Sequence, residues 1–318
     1  MSIVDLFSSQ LVYKFALAVL TTLVLLTLVS QFGRFLYLEL TTHFRLYYVL
    51  VALLCALVLA GFQSWKFVPI ALFCAALNLV YVIPYYRTTS QSNSGRHDSH
   101  LRLIQVNLLK TNQKYQKLLE VVRSANADVV VLQELTETWN EQTQGLRQEY
   151  PHVVFEPRSN GAGMAVLSRY PAEGAQTLTL DDSDHIAILV RLKVGDESIS
   201  VLALHPTTPI TPFKFKNRNR QYREAATLVK NLTGPRVIIG DLNITMWSPY
   251  FVELQNESGL RDARLGFGLR TTWPTFLPPL LRLPIDHCLV SEEVEINSIE
   301  VGASTGSDHL PLIVQLSF

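Results

Sequence analysis

Three long runs without a charged side chain dominate the amino-terminal third of the sequence. They measure 19, 20 and 20 residues and lie between Lys14 and Arg34, between Arg45 and Lys66, and between Lys66 and Arg87. An α-helix rises about 1.5 Å per residue and needs roughly 20 apolar residues to cross the hydrocarbon of a bilayer. The runs therefore predict three transmembrane helices within an anchor over residues 1–88, at about 12–31, 46–65 and 67–86.

The alternatives to this anchor explain less of the sequence. A cleaved signal peptide would account for the first run only, and a very apolar soluble bundle seldom has three such runs in succession. The Ser- and Thr-rich stretch over 89–100 reads as a flexible linker to a second domain over 101–318. The positive charges that flank the runs slightly favour a cytoplasmic position for that domain.

Charge is distributed unevenly between the two parts. Residues 1–96 contain six basic and two acidic residues, whereas residues 97–318 contain 21 basic and 25 acidic residues. The net charge of −4 on residues 97–318 argues against a strongly basic surface for binding nucleic acid. The three cysteines, Cys55, Cys74 and Cys288, exclude a disulfide framework and a cysteine zinc site.

From Leu101 onward, short β-rich runs alternate with turns and a few amphipathic helices. Helical spacing of apolar residues predicts helices over Tyr115–Ala125 and Asn219–Leu232. The mixture predicts an α+β fold with two packed β-sheets flanked by helices. The predicted strands are Leu101–Asn107, Asp128–Gln133, Met164–Ser168, Ile186–Val194, Ser198–Leu204, Arg236–Ile239, Ile285–Val290 and Pro311–Leu316.

Polar side chains follow the ends of many of these strands. A single Asn or Asp after a strand is usually a turn former, and a lone histidine such as His152 or His185 is usually a surface or structural residue. Many such placements together favour an active site, because loops at one end of a rigid sheet collect convergent polar groups. The positions are Asn107, Glu134, His205, Asp241, Asn243, Asp286, Asp308 and His309.

An ordered set of short motifs makes residues 101–318 resemble the endonuclease/exonuclease/phosphatase superfamily of metal-dependent phosphoesterases. The resemblance implies a four-layer sandwich of two sheets between helices. The anchor and the segment Thr272-Trp273-Pro274 together make the chain resemble the membrane-bound bacterial branch of this superfamily, the teicoplanin-resistance-type proteins. The motifs are Gln105-Val106-Asn107, Val131-Leu132-Gln133-Glu134, Ala165-Val166-Leu167-Ser168-Arg169, His205-Pro206, Gly240-Asp241-Leu242-Asn243, Pro284-Ile285-Asp286-His287 and Gly306-Ser307-Asp308-His309.

The resemblance also implies roles for individual residues. Mg²⁺, with Mn²⁺ as the alternative, prefers oxygen ligands, and its implied ligands are Glu134, Asn107 and Asp308. Asp241 is expected to orient or deprotonate the attacking water. The other implied catalytic residues are Asn243, which holds the nucleophile or the phosphate, His309 with Asp286 behind it, and His205. Arg218 and Arg220, at the start of a helix, are candidates for binding the substrate phosphate.

Three functions from different classes follow. The favoured one is a membrane-anchored, Mg²⁺-dependent hydrolase of a lipid-linked or small phosphorylated substrate, with the bilayer and that substrate as its partners. The second is a membrane-tethered nuclease, and the third is an inactive binding module. Membership of the membrane-bound branch implies a multi-pass protein of the bacterial cytoplasmic membrane with an extracytoplasmic catalytic domain. The sequence indicates no protein partner.

Overall fold

The computed structural model describes residues 3–87 and 99–318. The chain forms two compact units, of which the first comprises Met1–Arg87 with Trp247–Pro249 and the second comprises Thr88–Met246 with Tyr250–Phe318. Most of the predicted linker over 89–100 lies outside the described residues. Its last residue, His100, is the first residue of a strand.

The first unit is helical. Two of its helical stretches, Ser9–Phe32 and Val68–Tyr85, are long and apolar enough to cross a membrane. Short 3₁₀ turns, Ser30–Phe32 and Ile83–Tyr85, extend the first and the last helix. The helices are α1 Ile3–Val29, α2 Leu36–Thr42, α3 Arg45–Gly61 and α4 Val68–Val82.

The second predicted span, over 46–65, differs from the structure. Helix α3 ends at Gly61, because Gln63 adopts a left-handed φ of 56° and Ser64 N–H bonds back to Leu59 O at 2.9 Å. Helices α2 and α3 meet at an angle of 63°. The described residues thus hold two membrane-length helices rather than the predicted three, or three if this bent pair makes one crossing.

A buried polar cluster joins three helical segments of this unit. The guanidinium of Arg45 donates to Ser30 Oγ at 2.8 Å and to Asn78 Oδ1 at 3.0 Å. Asn78 in turn donates to Thr27 Oγ1 at 3.1 Å. In an apolar unit these bonds satisfy groups that would otherwise be costly to bury, and they fix the helices relative to one another.

The second unit contains two six-stranded mixed sheets. The first sheet has the order β11-β12-β1-β2-β4-β3, with β1 parallel to β2 and antiparallel to β12. It takes its strands from the two ends of the unit. Its strands are β1 His100–Asn107, β2 Val129–Gln133, β3 His152–Glu156, β4 Met164–Ser168, β11 Glu295–Val301 and β12 Leu312–Ser317.

The second sheet is formed by the middle of the chain. Its order is β5-β6-β7-β8-β10-β9, with β7 parallel to β8 and β10 antiparallel to β8. The strands are β5 Ala172–Thr179, β6 Ile186–Val194, β7 Glu197–Leu204, β8 Arg236–Asp241, β9 Arg261–Asp262 and β10 Asp286–Val290. The helices of the unit are α5 Tyr115–Ala125, α6 Glu137–Gln142, α7 Pro212–Lys230 and α8 Pro249–Ser258, with 3₁₀ turns at Gln144–Gln148 and Pro279–Leu281.

The inner faces of the two sheets pack against each other around one apolar core. In β1, Leu101 and Leu103 belong to this core, whereas Ile104 and Val106 face outward and pack in the cluster that contains Leu118 of α5. Alternation along the strand produces this division. The predicted arrangement of two packed sheets flanked by helices is confirmed.

All eight predicted strands form, and helix Tyr115–Ala125 has its predicted bounds. Helix α7 begins earlier than predicted, because Thr211 Oγ1 caps Lys214 N–H at 3.2 Å and Pro212 occupies the first turn. Four strands, β3, β5, β9 and β11, were not predicted.

Candidate active site

Polar side chains from both sheets meet where their strands end. Strands β1 and β2 are parallel, so Asn107 and Glu134 lie at the same edge of the first sheet. In the second sheet the carboxyl ends of β7 and β8 lie beside the amino end of β10. His205, Asp241 and Asp286 occupy those three ends. We call this side of the unit the polar edge.

The side-chain amide of Asn107 connects the two sheets at the polar edge. Its Nδ2 donates to Glu134 Oε1 and to Asp241 Oδ2, each at 3.1 Å. Its Oδ1 accepts from Leu109 N–H at 3.0 Å, which sets the orientation of the amide. Two carboxylates therefore converge on a single nitrogen atom, and the amide hydrogens offset part of their repulsion.

Glu134 is turned out of the line of its strand. Its φ of 59° lies in the left-handed region, which non-glycine residues adopt uncommonly and which recurs at active sites. Its Oε2 accepts from Lys110 N–H at 3.0 Å. The side chain is half-buried, so the carboxylate is held in position but remains accessible from solvent.

Asp241 lies between two histidines. Its Oδ2 is 3.6 Å from Nε2 of His205 and 3.6 Å from Nε2 of His309. The other ring nitrogen of His309, Nδ1, is 2.9 Å from Asp286 Oδ2. Asp241, Asp286 and both imidazoles are buried, so this chain of charged groups is shielded from water.

The electrostatics of these groups are coupled. Burial alone would lower the pKa of His309, but the charges of Asp286 and Asp241 outweigh it and raise that pKa to about 10. Burial likewise opposes ionisation of Asp241, yet His309 and His205 bring its pKa down to about 2. The pKa of His205 is raised by Asp241 against the effect of burial. The arrangement holds Asp241 ionised and His309 cationic.

A pair of buried glutamines, to which the sequence pattern gives no predicted role, forms the floor of the site. Gln133 Oε1 accepts from Gln105 Nε2 at 2.7 Å and from Asp241 N–H at 2.9 Å. Gln133 Nε2 donates to Leu204 O at 2.9 Å, and Gln105 Nε2 also donates to Asp286 Oδ1 at 2.9 Å. Strand alternation points both glutamines between the sheets, so their position among inward-facing apolar residues was the available signal.

Gly240 allows this floor to approach β8 closely. It has a φ of 157°, and a Cβ at this position would overlap the Leu204 carbonyl oxygen and the Gln133 side chain. The next turn positions Asn243, whose N–H donates to Asp241 Oδ1 at 2.9 Å and whose Nδ2 donates to Pro206 O at 3.0 Å. Asn243 therefore shares the carboxylate that faces the histidines.

The segment before β10 supports the site from the other side. Thr272 Oγ1 donates to Asp286 Oδ2, and Trp273 Nε1 donates to Asp308 Oδ2 at 3.0 Å. The indole ring of Trp273 lies 6.3 Å from the imidazole of His309 between ring centroids. Asp308 is thus held beside His309. From the sequence alone, the Thr272-Trp273 pair indicates only a family resemblance.

The two candidate phosphate-binding arginines lie in different environments. Arg218 is completely buried, and its guanidinium bonds to Asn219 Oδ1 at 2.8 Å and to Asn243 O at 3.4 Å. In this position it braces the Asn243 turn instead of facing solvent. Arg220 forms an exposed 2.8 Å ion pair with Asp182.

His185, which the sequence suggested to be a surface or structural residue, packs against the site. Its Nδ1 donates to the His205 carbonyl at 2.9 Å, and the two rings meet edge to face at 5.6 Å. Burial, and then the neighbouring His205, lower the pKa of His185 to about 4. A neutral ring therefore supports the backbone of His205, and nothing in the sequence pattern distinguished it from other histidines.

The polar edge has the donor groups that a metal ion needs. In the part of the chain that the structure describes, Asp241, Asp286 and His309 offer ligand atoms within 4.8 Å of one another. His309 is already bonded to Asp286 and is held cationic, which makes it a poor ligand. Glu134, close to Asp241 through Asn107 and open to solvent, is the better choice for a hard cation.

The sequence of the unit that carries these groups matches a known family. A family model, described as the endonuclease/exonuclease/phosphatase family, matches residues 99–309. The chain belongs to this family. The predicted family is confirmed, as is the predicted enzyme class, a hydrolase that acts on phosphate ester bonds. No curated protein matches the chain by sequence.

Solved structures of the family share the fold of the second unit. An endonuclease/exonuclease/phosphatase from Beutenbergia cavernae has a TM-score of 0.56 at 19% identity and covers 69% of this chain and 72% of its own. A humanized D. rerio TDP2 has a TM-score of 0.61 at 16% identity, with 70% and 100% covered. Sphingomyelinase C from Streptomyces griseocarneus has a TM-score of 0.52 at 18% identity, with 68% and 99% covered. At these identities the similarity establishes the fold alone.

Proposed function

We propose that this protein is a membrane-anchored, Mg²⁺-dependent phosphoesterase that hydrolyses a lipid-linked or small phosphorylated substrate at the bilayer surface. The observation that supports hydrolysis most directly is the convergence of Glu134, Asp241 and His309 at the polar edge. Glu134 and His309 adjoin strands of the first sheet, and Asp241 ends a strand of the second sheet. The arrangement provides an anionic group for a nucleophilic water beside a cationic group for a phosphate oxygen.

Each residue has a defined task in this proposal. Glu134 would hold Mg²⁺, or Mn²⁺ as the alternative, with Asn107 through the second lone pair of its Oδ1 and with Asp308. A divalent ion bound there supplies positive charge to neutralise the phosphate oxygens. Asp241 would accept a hydrogen bond from the attacking water and orient it or take its proton, while Asn243 fixes the orientation of the Asp241 carboxylate.

The histidines complete the proposed reaction. Asp286 occupies Nδ1 of His309, so that Nε2 faces the phosphate as a donor. His205 lies on the other side of Asp241 and donates to the phosphate or to the departing oxygen. The roles of Arg218 and Arg220 as phosphate contacts remain a prediction, and the burial of Arg218 supports a bracing role for it instead.

The apolar helices support the membrane part of the proposal. Ser9–Phe32 and Val68–Tyr85 have the length and hydropathy of membrane crossings. A tether shorter than 15 residues keeps the second unit near the bilayer, where lipid head groups reach a high effective concentration. We place the protein in the bacterial cytoplasmic membrane with its catalytic unit outside the cytoplasm, as the resemblance to the teicoplanin-resistance-type branch suggests.

A substrate screen tests the proposal. The full-length protein in detergent would be given bis(para-nitrophenyl) phosphate, dioleoyl phosphatidic acid, farnesyl pyrophosphate, and single-stranded and duplex DNA, with Mg²⁺ or with EDTA. We expect Mg²⁺-dependent hydrolysis of at least one of the two lipid phosphates. Glu134→Gln should abolish it, whereas Glu120→Gln, an exposed site on α5, should not.

Other outcomes identify the competing functions. If the protein hydrolyses DNA and none of the lipid phosphates, it is a membrane-tethered nuclease and the proposed lipid substrate is wrong. Absence of hydrolysis and of Mg²⁺ binding, with Asp241→Asn indistinguishable from wild type, would leave an inactive binding module. Protease protection of the catalytic unit in sealed vesicles would test its proposed side.

A further inference from the structure

Two segments that leave the polar edge expose large apolar side chains to solvent. Ile210 and Phe213 are 70% and 67% exposed, and Phe276 and Leu280 are 80% and 56% exposed. Large side chains of this kind normally contribute to a core, so an exposed group of them marks an interaction surface. We call these four residues the apolar rim.

The topology places both segments of the apolar rim beside the candidate active site. Ile210 and Phe213 follow the carboxyl end of β7 and His205. Phe276 and Leu280 lie on the loop that precedes Asp286 at the amino end of β10. Since β7 and β10 both neighbour β8, with β7 parallel and β10 antiparallel to it, the two segments leave the same edge of the second sheet.

The loop that carries Phe276 and Leu280 is firmly attached at its base. Thr275 N–H donates to Asp308 O at 2.9 Å, and Thr275 Oγ1 donates to Ser307 O at 3.0 Å. Trp273 and Leu283 form a bridge across the base, and Arg282 donates to Leu277 O at 2.8 Å. The apolar tip is therefore exposed on an ordered loop whose polar base is bonded to residues next to His309.

The charges near the apolar rim indicate what covers it. Lys214 and Lys216 are exposed within the first turns of α7, directly after Phe213. Arg270 is exposed at the start of the other segment, and Arg282 is half-exposed at its end. The second unit is acidic overall, with 25 acidic and 21 basic residues in 97–318, so these cations stand out locally. Apolar side chains beside basic ones suit the boundary between lipid hydrocarbon and anionic head groups.

A bilayer is also the partner within reach. Twelve peptide steps separate Arg87 from Ser99, and a fully extended chain of that length spans at most about 40 Å. If the helices cross the membrane, its surface lies within that distance of Ser99. A second copy of the chain or a soluble protein would have no such enforced proximity.

We infer that the apolar rim inserts into the membrane surface and presents the polar edge to phosphate esters carried by lipids. This inference rests on the proposed function and specifies its substrate class as membrane-borne esters. The ester of such a lipid lies at head-group depth, so insertion of the rim places the active site at the same depth. A water-soluble ester reaches the site without using the rim.

The test compares lipid and soluble substrates in one preparation. The full-length protein would be reconstituted into vesicles of phosphatidylcholine and phosphatidylglycerol that contain dioleoyl phosphatidic acid and farnesyl pyrophosphate. For Phe276→Ser/Leu280→Ser, kcat/KM on the lipid esters should fall by about tenfold or more, because insertion of the rim is weakened. Hydrolysis of bis(para-nitrophenyl) phosphate should stay within about twofold of wild type, as unassisted diffusion supplies it.

A matched control and a substrate-independent measurement separate the outcomes. Val252→Ser replaces an exposed apolar residue on α8 and should leave both activities unchanged. Phe276→Trp adds a fluorophore at the tip, and we expect brominated lipids to quench its added emission. Unchanged lipid hydrolysis in the double variant, or an unquenched Trp at 276, overturns the inference. If wild type hydrolyses neither class of ester but the tip is quenched, the proposed function fails while membrane insertion stands.

Discussion

Replacing Gln133 by methionine should damage both the stability of the catalytic unit and its turnover. The two side chains have similar length, so the exchange removes hydrogen bonds without opening a large cavity. It deletes the bonds from Gln105 Nε2 and Asp241 N–H and the bond to Leu204 O. All three partners are buried at the junction of the sheets.

The magnitude follows from what each partner loses. Asp241 N–H becomes an unsatisfied buried donor, which costs about 1–3 kcal/mol, and each of the other two bonds contributes about 0.5–1.5 kcal/mol. The free energy of unfolding should therefore fall by about 2–6 kcal/mol. For a unit of this size, a loss of ~3 kcal/mol lowers Tm by about 6–12 °C.

The effect on catalysis comes through the position of Asp241. Without the anchor on its backbone, the carboxylate moves relative to His309, and a shift of this kind lowers kcat by roughly tenfold to hundredfold. KM and the Mg²⁺ dependence should change little, because Glu134 keeps its bonds from Asn107 and Lys110. A general loss of folded protein would instead reduce the active fraction at an unchanged kcat per folded molecule.

The assay combines thermal unfolding in detergent with steady-state kinetics on bis(para-nitrophenyl) phosphate, using the folded fraction to normalise rates. Gln176→Met, on the exposed edge strand β5, is the matched control and should change stability by less than about 0.5 kcal/mol. If Gln133→Met unfolds at the same temperature as Gln176→Met and retains wild-type kcat, the proposed role of the glutamine floor is wrong.

Three further predictions concern other parts of the molecule. Arg218→Met should lower the unfolding free energy by about 3 kcal/mol in thermal melts, because Asn219 Oδ1 and Asn243 O lose a buried charged donor; a melt within error of Arg220→Met would contradict this. Thr272→Val should reduce kcat by roughly tenfold in the same kinetic assay, because Asp286 loses a donor and no longer holds His309 as firmly; unchanged turnover would show that Asp286 needs no support from this side. Arg45→Leu should destabilise the helical unit by about 1–2 kcal/mol in detergent unfolding followed by circular dichroism, since Ser30 and Asn78 lose their shared donor. Arg34→Leu, in the exposed turn between the first 3₁₀ turn and α2, should have a smaller effect.

Strands with a clear apolar pattern were predictable from the sequence, and two of the missed strands, β5 and β11, lack one. β5 is exposed along nearly its whole length, so burial imposes no pattern on its residues. β11 contains a bulge between Ile296 and Ser298 that interrupts the period of two. Pairing with neighbours that are distant in sequence, and not local composition, makes these segments strands.

The candidate site was predictable in its charged residues but not in their support. Glu134, Asp241 and His309 were predictable because many polar residues follow the ends of strands in this sequence, and the structure brings all three together. Gln105 and Gln133 are uncharged and lie within apolar runs, so only the pairing of two strands across two sheets gives them a shared function. His185 supports the backbone of His205 through a contact that only tertiary folding creates, so the sequence around it gives no sign of this role.

The helical unit illustrates a different limit. The length of an uncharged run measures hydrophobicity but does not detect where a helix ends. The left-handed Gln63 terminates α3 inside the second run, and the bend between α2 and α3 precedes its start. Helix ends depend on local backbone conformation, which the count of uncharged residues does not record.

The position of β12 determines when the first sheet can be completed. β12 lies between β11 and β1, and its partner Leu101 is separated from Leu316 by more than 200 positions in the chain. During synthesis β1 waits with one side unpaired while more than 200 further residues are added, because β12 is the strand that pairs with that side. The nascent chain therefore keeps this strand edge open, and an unpaired edge favours association with other chains until β12 closes it.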